Sequence, residues 1–138
     1  MQKKYKVGYT CGVFDLLHFG HFELFRRCKE LLGKDGKLIV AVQLDEYVTK
    51  YKPQTKLVYD WNTRVKMIRA LRYVDEVVPY SDVDESIKKI EFDVFITGAD
   101  QVHLGFQRAM KWCKNHGRET IVLPRTEGIS SSKLRPLE

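Results

Sequence analysis

"LIVAV", residues 38–42, is a short, unbroken apolar run. Such a run marks a strand buried on both faces, the setting that a parallel sheet provides. Just before it, "LGKDGK" (32–37) reads as a break made by glycine and charge. Ahead of the break, Phe22, Phe25, Cys28 (or Leu24), Leu31 and Leu32 recur at helical spacing between His18 and Leu32. "KVGYTC" (6–11) reads as a first strand. On the other side of the run, a polar, lysine-rich segment containing Pro53 reads as a loop. "DWNTRVKMIRALRYV" (60–74) predicts a helix capped by Asp60, with Val65, Ile68, Ala70 and Leu71 on its apolar side. "DEVVPY" (75–80) predicts a brief strand stopped by Pro79. "DVDESIKKI" (82–90) predicts a short helix with acids at its start and lysines near its end, matching the helix dipole. "DVFITG" (93–98) is another strand, a helix follows over His103 to Asn115, and "ETIVLP" (119–124) is the last strand.

Strand and helix alternate throughout, so the expected class is α/β, a doubly wound parallel sheet of about five strands with right-handed crossovers. Residues 1–138 read as one domain, without an internal repeat or a linker. Ligands of such open sheets lie beyond the carboxyl ends of the strands, where the strand order reverses. That singles out the loops at 12–18, 43–60, 98–102 and 124–130, each rich in Gly, His, Lys, Arg, Asp or Ser.

Composition narrows the field. With 43% hydrophobic and 12% aromatic residues in 138, a compact core is expected and disorder is not. The start, "MQKKYKVGYT", lacks the apolar stretch of a signal peptide, and no run is long enough to cross a bilayer, so a soluble, cytoplasmic protein with no membrane partner is expected. Cys11, Cys28 and Cys113 are odd in number and widely spaced, which argues against a disulfide framework or a structural zinc and for small buried apolar residues. Net charge is +6, which favours an anionic partner. Lys50, Lys52, Lys56, Arg64, Lys66, Arg69 and Arg72 crowd one region whose only acid is Asp60. Tyr51, Tyr59 and Trp61 are interleaved with that charge, a pattern also found in nucleic-acid binders.

The chemistry concentrates in two loops. "GVFDLLHFGHFELF" (12–25) puts His18 and His21 on one turn at the mouth of a helix, with Gly20 between them. Gly12 lets backbone amides approach a bound group, and the helix start favours an anion. Two imidazoles there can donate to phosphate oxygens and stabilise charge that builds up in a transition state. The alternative is a structural pair, one histidine capping the helix and the other half-buried. In "RTEGISSSK" (125–133), Gly128 permits a turn and Ser130, Ser131 and Ser132 offer hydroxyls at a helix start between Arg125 and Lys133, a second phosphate cradle. Glu127 is better suited to orienting Arg125 or a turn than to acting as a base. A lysine among Lys50, Lys52 and Lys56 can close over a triphosphate. Asp100, ending "GAD", can meet a base, a ribose or a metal-bound phosphate. Arg64 and Arg72 on spacing alone read equally well as surface charges. No activated nucleophile or hydrolytic acid pair is evident, which leaves phosphoryl or nucleotidyl transfer.

"GVFDLLHFGH" resembles the HxGH signature of the nucleotidyltransferase superfamily, whose fold is Rossmann-like. "RYVDEVV" (72–78) and "RTEGISSSK" narrow the resemblance to the cytidylyltransferases, most like their bacterial glycerol-3-phosphate branch. The resemblance implies that a phosphorylated alcohol attacks the α-phosphate of CTP, carried with Mg2+, to give a CDP-alcohol and pyrophosphate. It implies that His18 and His21 stabilise the reacting phosphate and that Lys50 or Lys52 and Arg125 assist. By the same resemblance Gly12, Val13, Phe14, Gly20, Asp100, Thr126, Gly128, Ile129, Ser130 and Ser131 belong to the nucleotide site, and Asp15 and Arg64 to the acceptor site. It further implies a homodimer with Arg72 near the interface, no protein metal site and no nucleic-acid partner. Val13 and Gln101 stand where the glycerol-phosphate branch has threonine and tryptophan, both positions on the acceptor side. The "ISSS" ending is also similar to adenylyltransferases for phosphopantetheine, which keeps ATP as an alternative nucleotide. A non-catalytic nucleotide-binding module is the other alternative.

Overall fold

A computed structural model describes residues 5–99, 101 and 103–124. Five parallel strands form one sheet: β1 (Tyr5–Gly12), β2 (Leu32–Gln43), β3 (Glu76–Tyr80), β4 (Val94–Gly98) and β5 (Glu119–Leu123), in spatial order β3-β2-β1-β4-β5. The helices are α1 (Phe19–Leu31), α2 (Asp45–Tyr51), α3 (Trp61–Arg69), α4 (Val83–Ser86, followed by a 3-10 turn) and α5 (Leu104–Asn115). Phe25 and Cys28 of α1 and Val65 and Ile68 of α3 pack on one face of the sheet against Leu38, Val40 and Val42. Val83 of α4 and Phe106, Ala109 and Cys113 of α5 pack on the other against Ile39 and Ala41. The "LIVAV" run therefore sends alternate side chains into two cores, and every one of them is buried.

The order reverses between β1 and β4. These strands pair only at Gly8↔Val94 and Tyr9↔Phe95, whereas the β1–β2 ladder continues to Gly12↔Val42. Pairing thus lapses toward the carboxyl ends at the reversal point, where such sheets place a ligand. No helix of the described residues is long and apolar enough to cross a membrane. All three cysteines are buried thiols, as expected, and burial raises each thiol above its ordinary pKa.

Several expectations need correction. "LGKDGK" lies within β2, but Tyr5 pairs with Leu32 and Val7 with Lys37, so the residues between are looped out of the ladder. Gly36 permits that tight excursion, because a Cβ there would sit 2.4 Å from Leu32 Cβ. The segment after β2 is not all loop: α2 forms there, with Asp45 and Glu46 in its first turn. Helix α3 starts where expected, with Asp60 accepting from the Thr63 amide at 2.9 Å, but it stops at Arg69 and leaves Ala70 exposed as its C-cap. Pro79 does not stop β3 but sits inside it, opposite Val42. An edge strand tolerates a missing N–H on its open side. Phe22 is exposed, because the buried stripe of α1 runs through Phe25 and Cys28 instead.

Candidate active site

Local sequence builds the first loop. Phe14 takes a positive φ of 53°, a strained conformation for a bulky residue, which folds its ring back under the loop. That ring needs Gly12: a Cβ on residue 12 would lie 2.8 Å from Phe14 Cζ. The Phe14 ring, buried, meets His21 edge-on at 5.3 Å and Phe25 at 5.3 Å. Gly12 and Phe14 thus form the floor beneath His21.

His18 is the N-cap of α1. Its Nδ1 accepts from the Gly20 amide at 3.0 Å, and the Nδ1 of His21 accepts from the His18 amide at 3.3 Å. The rings stack with centroids 3.9 Å apart. Because each Nδ1 accepts, the neutral rings carry their protons on Nε2. Burial lowers the pKa of His18, and burial followed by the neighbouring His18 lowers that of His21 to about 4. At neutral pH the pair is two uncharged Nε2–H donors at a helix N-terminus, suited to oxyanions and without mutual repulsion. Capping and phosphate binding are therefore compatible roles: the caps orient the rings.

A buried polar hub holds this loop against its neighbours. Arg64 is not the surface charge that spacing allowed; it is fully buried, at 0% exposure. Its guanidinium donates to the Val13 carbonyl at 2.8 Å, to the Tyr59 carbonyl at 3.2 Å and to Asp45 Oδ1. Asp45 Oδ2 accepts in turn from the Trp61 amide at 3.2 Å, and Trp61 Nε1 donates to the Val42 carbonyl at 3.0 Å. Asp15, also buried, accepts from the Val58 and Tyr59 amides, each at 2.8 Å. Asp15 and Arg64 thus join the histidine loop to the segment between α2 and α3. Their polar atoms position that loop.

A pocket of about 490 Å³ opens at the carboxyl ends of β1, β2 and β3 and at the start of α5. Gly12 and Val13 contribute from the histidine loop, and Lys52, Gln43, Tyr80 and Asp82 from the segments after β2 and β3. Gln101, His103 and Phe106 complete it with Arg108, which pairs with Asp84 at 2.9 Å. Burial and the charges of Lys52 and Arg108 lower the His103 pKa. The two candidate lysines separate here: Lys52 lines the pocket, while the Lys50 ammonium lies over the rings of Tyr47 and Tyr51, at 5.6 and 5.3 Å. Gln43, Tyr80, Asp82 and Arg108 had not been singled out from the sequence. The signal for Tyr80 and Asp82 was their place at the carboxyl end of a parallel strand, where "DVDESIKKI" read simply as a short helix.

Asp100, Arg125, Thr126, Gly128, Ile129, Ser130 and Ser131 lie outside the described residues. Among the described residues, no group of three or more His, Cys, Asp or Glu is gathered around a metal position. Thr10 and Thr97, on β1 and β4, carry buried hydroxyls that find no partner there.

The cytidylyltransferase-like family model matches residues 9–136. A glycerol-3-phosphate cytidylyltransferase from Staphylococcus aureus is 38% identical over 130 residues, covering 91% of this chain and 89% of the relative. An FAD synthase from Korarchaeum cryptofilum is 34% identical over 127 residues, covering 91% and 86% respectively. Among solved structures, a lipopolysaccharide core biosynthesis protein from Thermoplasma volcanium superposes with a TM-score of 0.70 at 25% identity, covering 88% of this chain and 97% of that one. A parallel sheet that reverses order beside a capped histidine pair, and a family match that spans both, lead to one assignment: the chain belongs to the cytidylyltransferase-like family of nucleotidyltransferase enzymes.

Proposed function

We propose that the protein transfers CMP from CTP to a small phosphorylated alcohol, glycerol 3-phosphate or a related phosphate or phosphonate. An acceptor oxygen attacks the α-phosphorus, the bond to the bridging oxygen breaks, and pyrophosphate leaves with that electron pair. The observation that carries this reading is the stacked pair His18 and His21, their Nδ1 atoms engaged by backbone amides. Two preset Nε2–H donors stabilise charge developing on the phosphoryl oxygens without any reorganisation at the moment of reaction. Phe14 sets the height of His21, and Arg64 and Asp15 hold the loop that carries both rings. Lys52 neutralises phosphate charge from the pocket side, a role supported by its position in the pocket lining.

Mg2+ fits this arrangement as an ion brought by the nucleotide, since Mg2+ is commonly held by substrate phosphates with few protein carboxylates. When bound it supplies neutralisation of triphosphate charge. The reading also includes a homodimer with the exposed Arg72 near its interface, which rests on the resemblance, and cytoplasmic residence, which is an expectation from the sequence.

The test is pyrophosphate release with CTP and ATP, separately, against glycerol 3-phosphate, polyol phosphates, phosphocholine, phosphoethanolamine and aminoethylphosphonate. Turnover with CTP is expected. The FAD synthase relative favours ATP as the second reading, and turnover with ATP alone would replace CTP. His18→Ala is expected to lower turnover by about 100- to 1,000-fold while CTP binding changes far less. A normal rate in that variant would remove His18 from the mechanism.

A further inference from the structure

The pocket beside the histidine loop is large and charge-balanced, and it is rich in hydrogen-bond acceptors. Its volume of about 490 Å³ falls within the range, roughly 300–1,000 Å³, that encloses drug-sized ligands. The nucleotide shares this space through Gly12, Val13 and Lys52, so the acceptor chain has the part that Gln43, Asp82 and Gln101 line. Lys52 and Arg108 offset Asp82 and Asp84, and Arg108 already pairs with Asp84. A cationic head group would therefore find no surplus negative charge, and the exposed Tyr51 ring on the pocket already holds a cation. Lys50 lies over Tyr51, the His103 ring meets Phe106 edge-on at 4.6 Å, and Tyr80 is buried.

Two polar side chains are held ready for a ligand that donates hydrogen bonds. Gln43 Nε2 donates to the Ser81 carbonyl at 2.9 Å, which fixes the amide and leaves Oε1 as its acceptor. Asp82 occupies the N-cap position of α4, yet its side chain makes no cap hydrogen bond. Its Oδ1 is buried and finds no partner among the described residues. A buried carboxylate oxygen without a donor is costly, and because Asp82 lines the pocket, a turn of its side chain toward a ligand hydroxyl would relieve that cost. Val13 and Gln101, the two departures from the glycerol-phosphate pattern, both line the same pocket.

We propose that this pocket takes the carbon chain of the acceptor and selects an uncharged, polyhydroxylated chain longer than three carbons, with Gln43, Asp82 and Gln101 as the specificity-determining residues. The substrate class is then a phosphate of an extended alditol or sugar, rather than glycerol 3-phosphate or an amino-alcohol phosphate. This inference rests on the reading of the protein as a cytidylyltransferase.

The experiment measures kcat/KM by pyrophosphate release with CTP for terminal alditol phosphates from glycerol through tetritol, pentitol and hexitol, beside phosphoethanolamine and phosphocholine. A preference of about ten-fold or more for a longer alditol over glycerol 3-phosphate is expected. Preference for glycerol 3-phosphate or for an amino-alcohol phosphate would overturn the inference and leave cytidylyl transfer standing. Silence with CTP across the series, with turnover by ATP or by none, would overturn both. Asp82→Asn keeps the shape and removes the charge. It is expected to cut the ratio of the two kcat/KM values, longer alditol over glycerol, by about 10- to 100-fold, the worth of a hydrogen bond to a charged group. An equal loss on both acceptors would mark Asp82 as structural and overturn its assignment.

Discussion

Replacing Arg64 by methionine separates positioning from substrate contact. The side chain is fully buried, and its guanidinium donates to two backbone carbonyls, Val13 at 2.8 Å and Tyr59 at 3.2 Å, and to Asp45. Methionine keeps much of the apolar stem but offers no donor. Hydrogen bonds from a charged group are worth about 1.5–3 kcal/mol each, and both carbonyls lie in part-buried surroundings, so the lower figure applies. Asp45 is 45% exposed, so water screens its loss and its share is at most about 1 kcal/mol. The sum is about 3–4 kcal/mol. Against a total stability of about 5–15 kcal/mol, this is a large fraction. Urea unfolding of Arg64→Met should show a lower midpoint at unchanged slope, and kcat/KM should fall because the loop carrying His18 and His21 is no longer held. Arg64→Lys, with one point charge in place of a fork, should recover little. A variant as stable as the parent, within about 0.5 kcal/mol, yet defective in acceptor KM, would refute the positioning role and return Arg64 to direct substrate contact.

The His21 ring predicts an acid-side loss of stability. Its folded pKa is about 4, whereas an unfolded imidazole titrates near about 6.5. Between those values the unfolded chain binds more protons, so the contribution is complete above about pH 6.5 and is lost as pH falls toward 4. The loss is on the order of 1–2 kcal/mol after discounting for solvent. His21→Asn should flatten the denaturation difference between neutral and mildly acidic buffer, and an unchanged slope would show that the ring is not buried in solution. Lys52→Ala should lower kcat/KM for CTP by about 10- to 100-fold, with a much smaller loss in Lys50→Ala, whose ammonium rests on Tyr47 and Tyr51; the reverse ranking would assign the phosphate contact to Lys50. Gly12→Ala should displace the Phe14 ring and reduce turnover through His21, visible as altered near-ultraviolet circular dichroism together with a fall in kcat. Full activity would show that the loop tolerates another ring position.

The α/β alternation, the helix mouth at His18 and the Asp60 cap were legible because each depends on neighbours within a few positions. Apolar runs, glycine breaks and capping residues are local signals, and the local physics agreed with the global fold. Helix α2 was missed because Lys50 at its end, with Lys52, Pro53 and Lys56 just beyond, resembles a loop. Pro79 was misjudged because edge position, unlike strand propensity, is a property of the whole sheet.

The chain alone determined the class of architecture and the chemistry of the first loop: a histidine pair with glycine between them at a helix start can be read without coordinates. Tertiary structure decided which charges act and how. Arg64 and Arg72 look alike in the sequence, yet one is enclosed by two backbone carbonyls and a carboxylate from three segments and the other is exposed. Lys50 and Lys52 are two residues apart, but a helix ending between them sends one to aromatic rings and the other to the pocket. Asp82 acquires its meaning only beside Gln43 and Gln101, brought to it by the carboxyl ends of different strands. Burial and pairing depend on groups far apart in the chain, and only the sheet order brings those groups into contact.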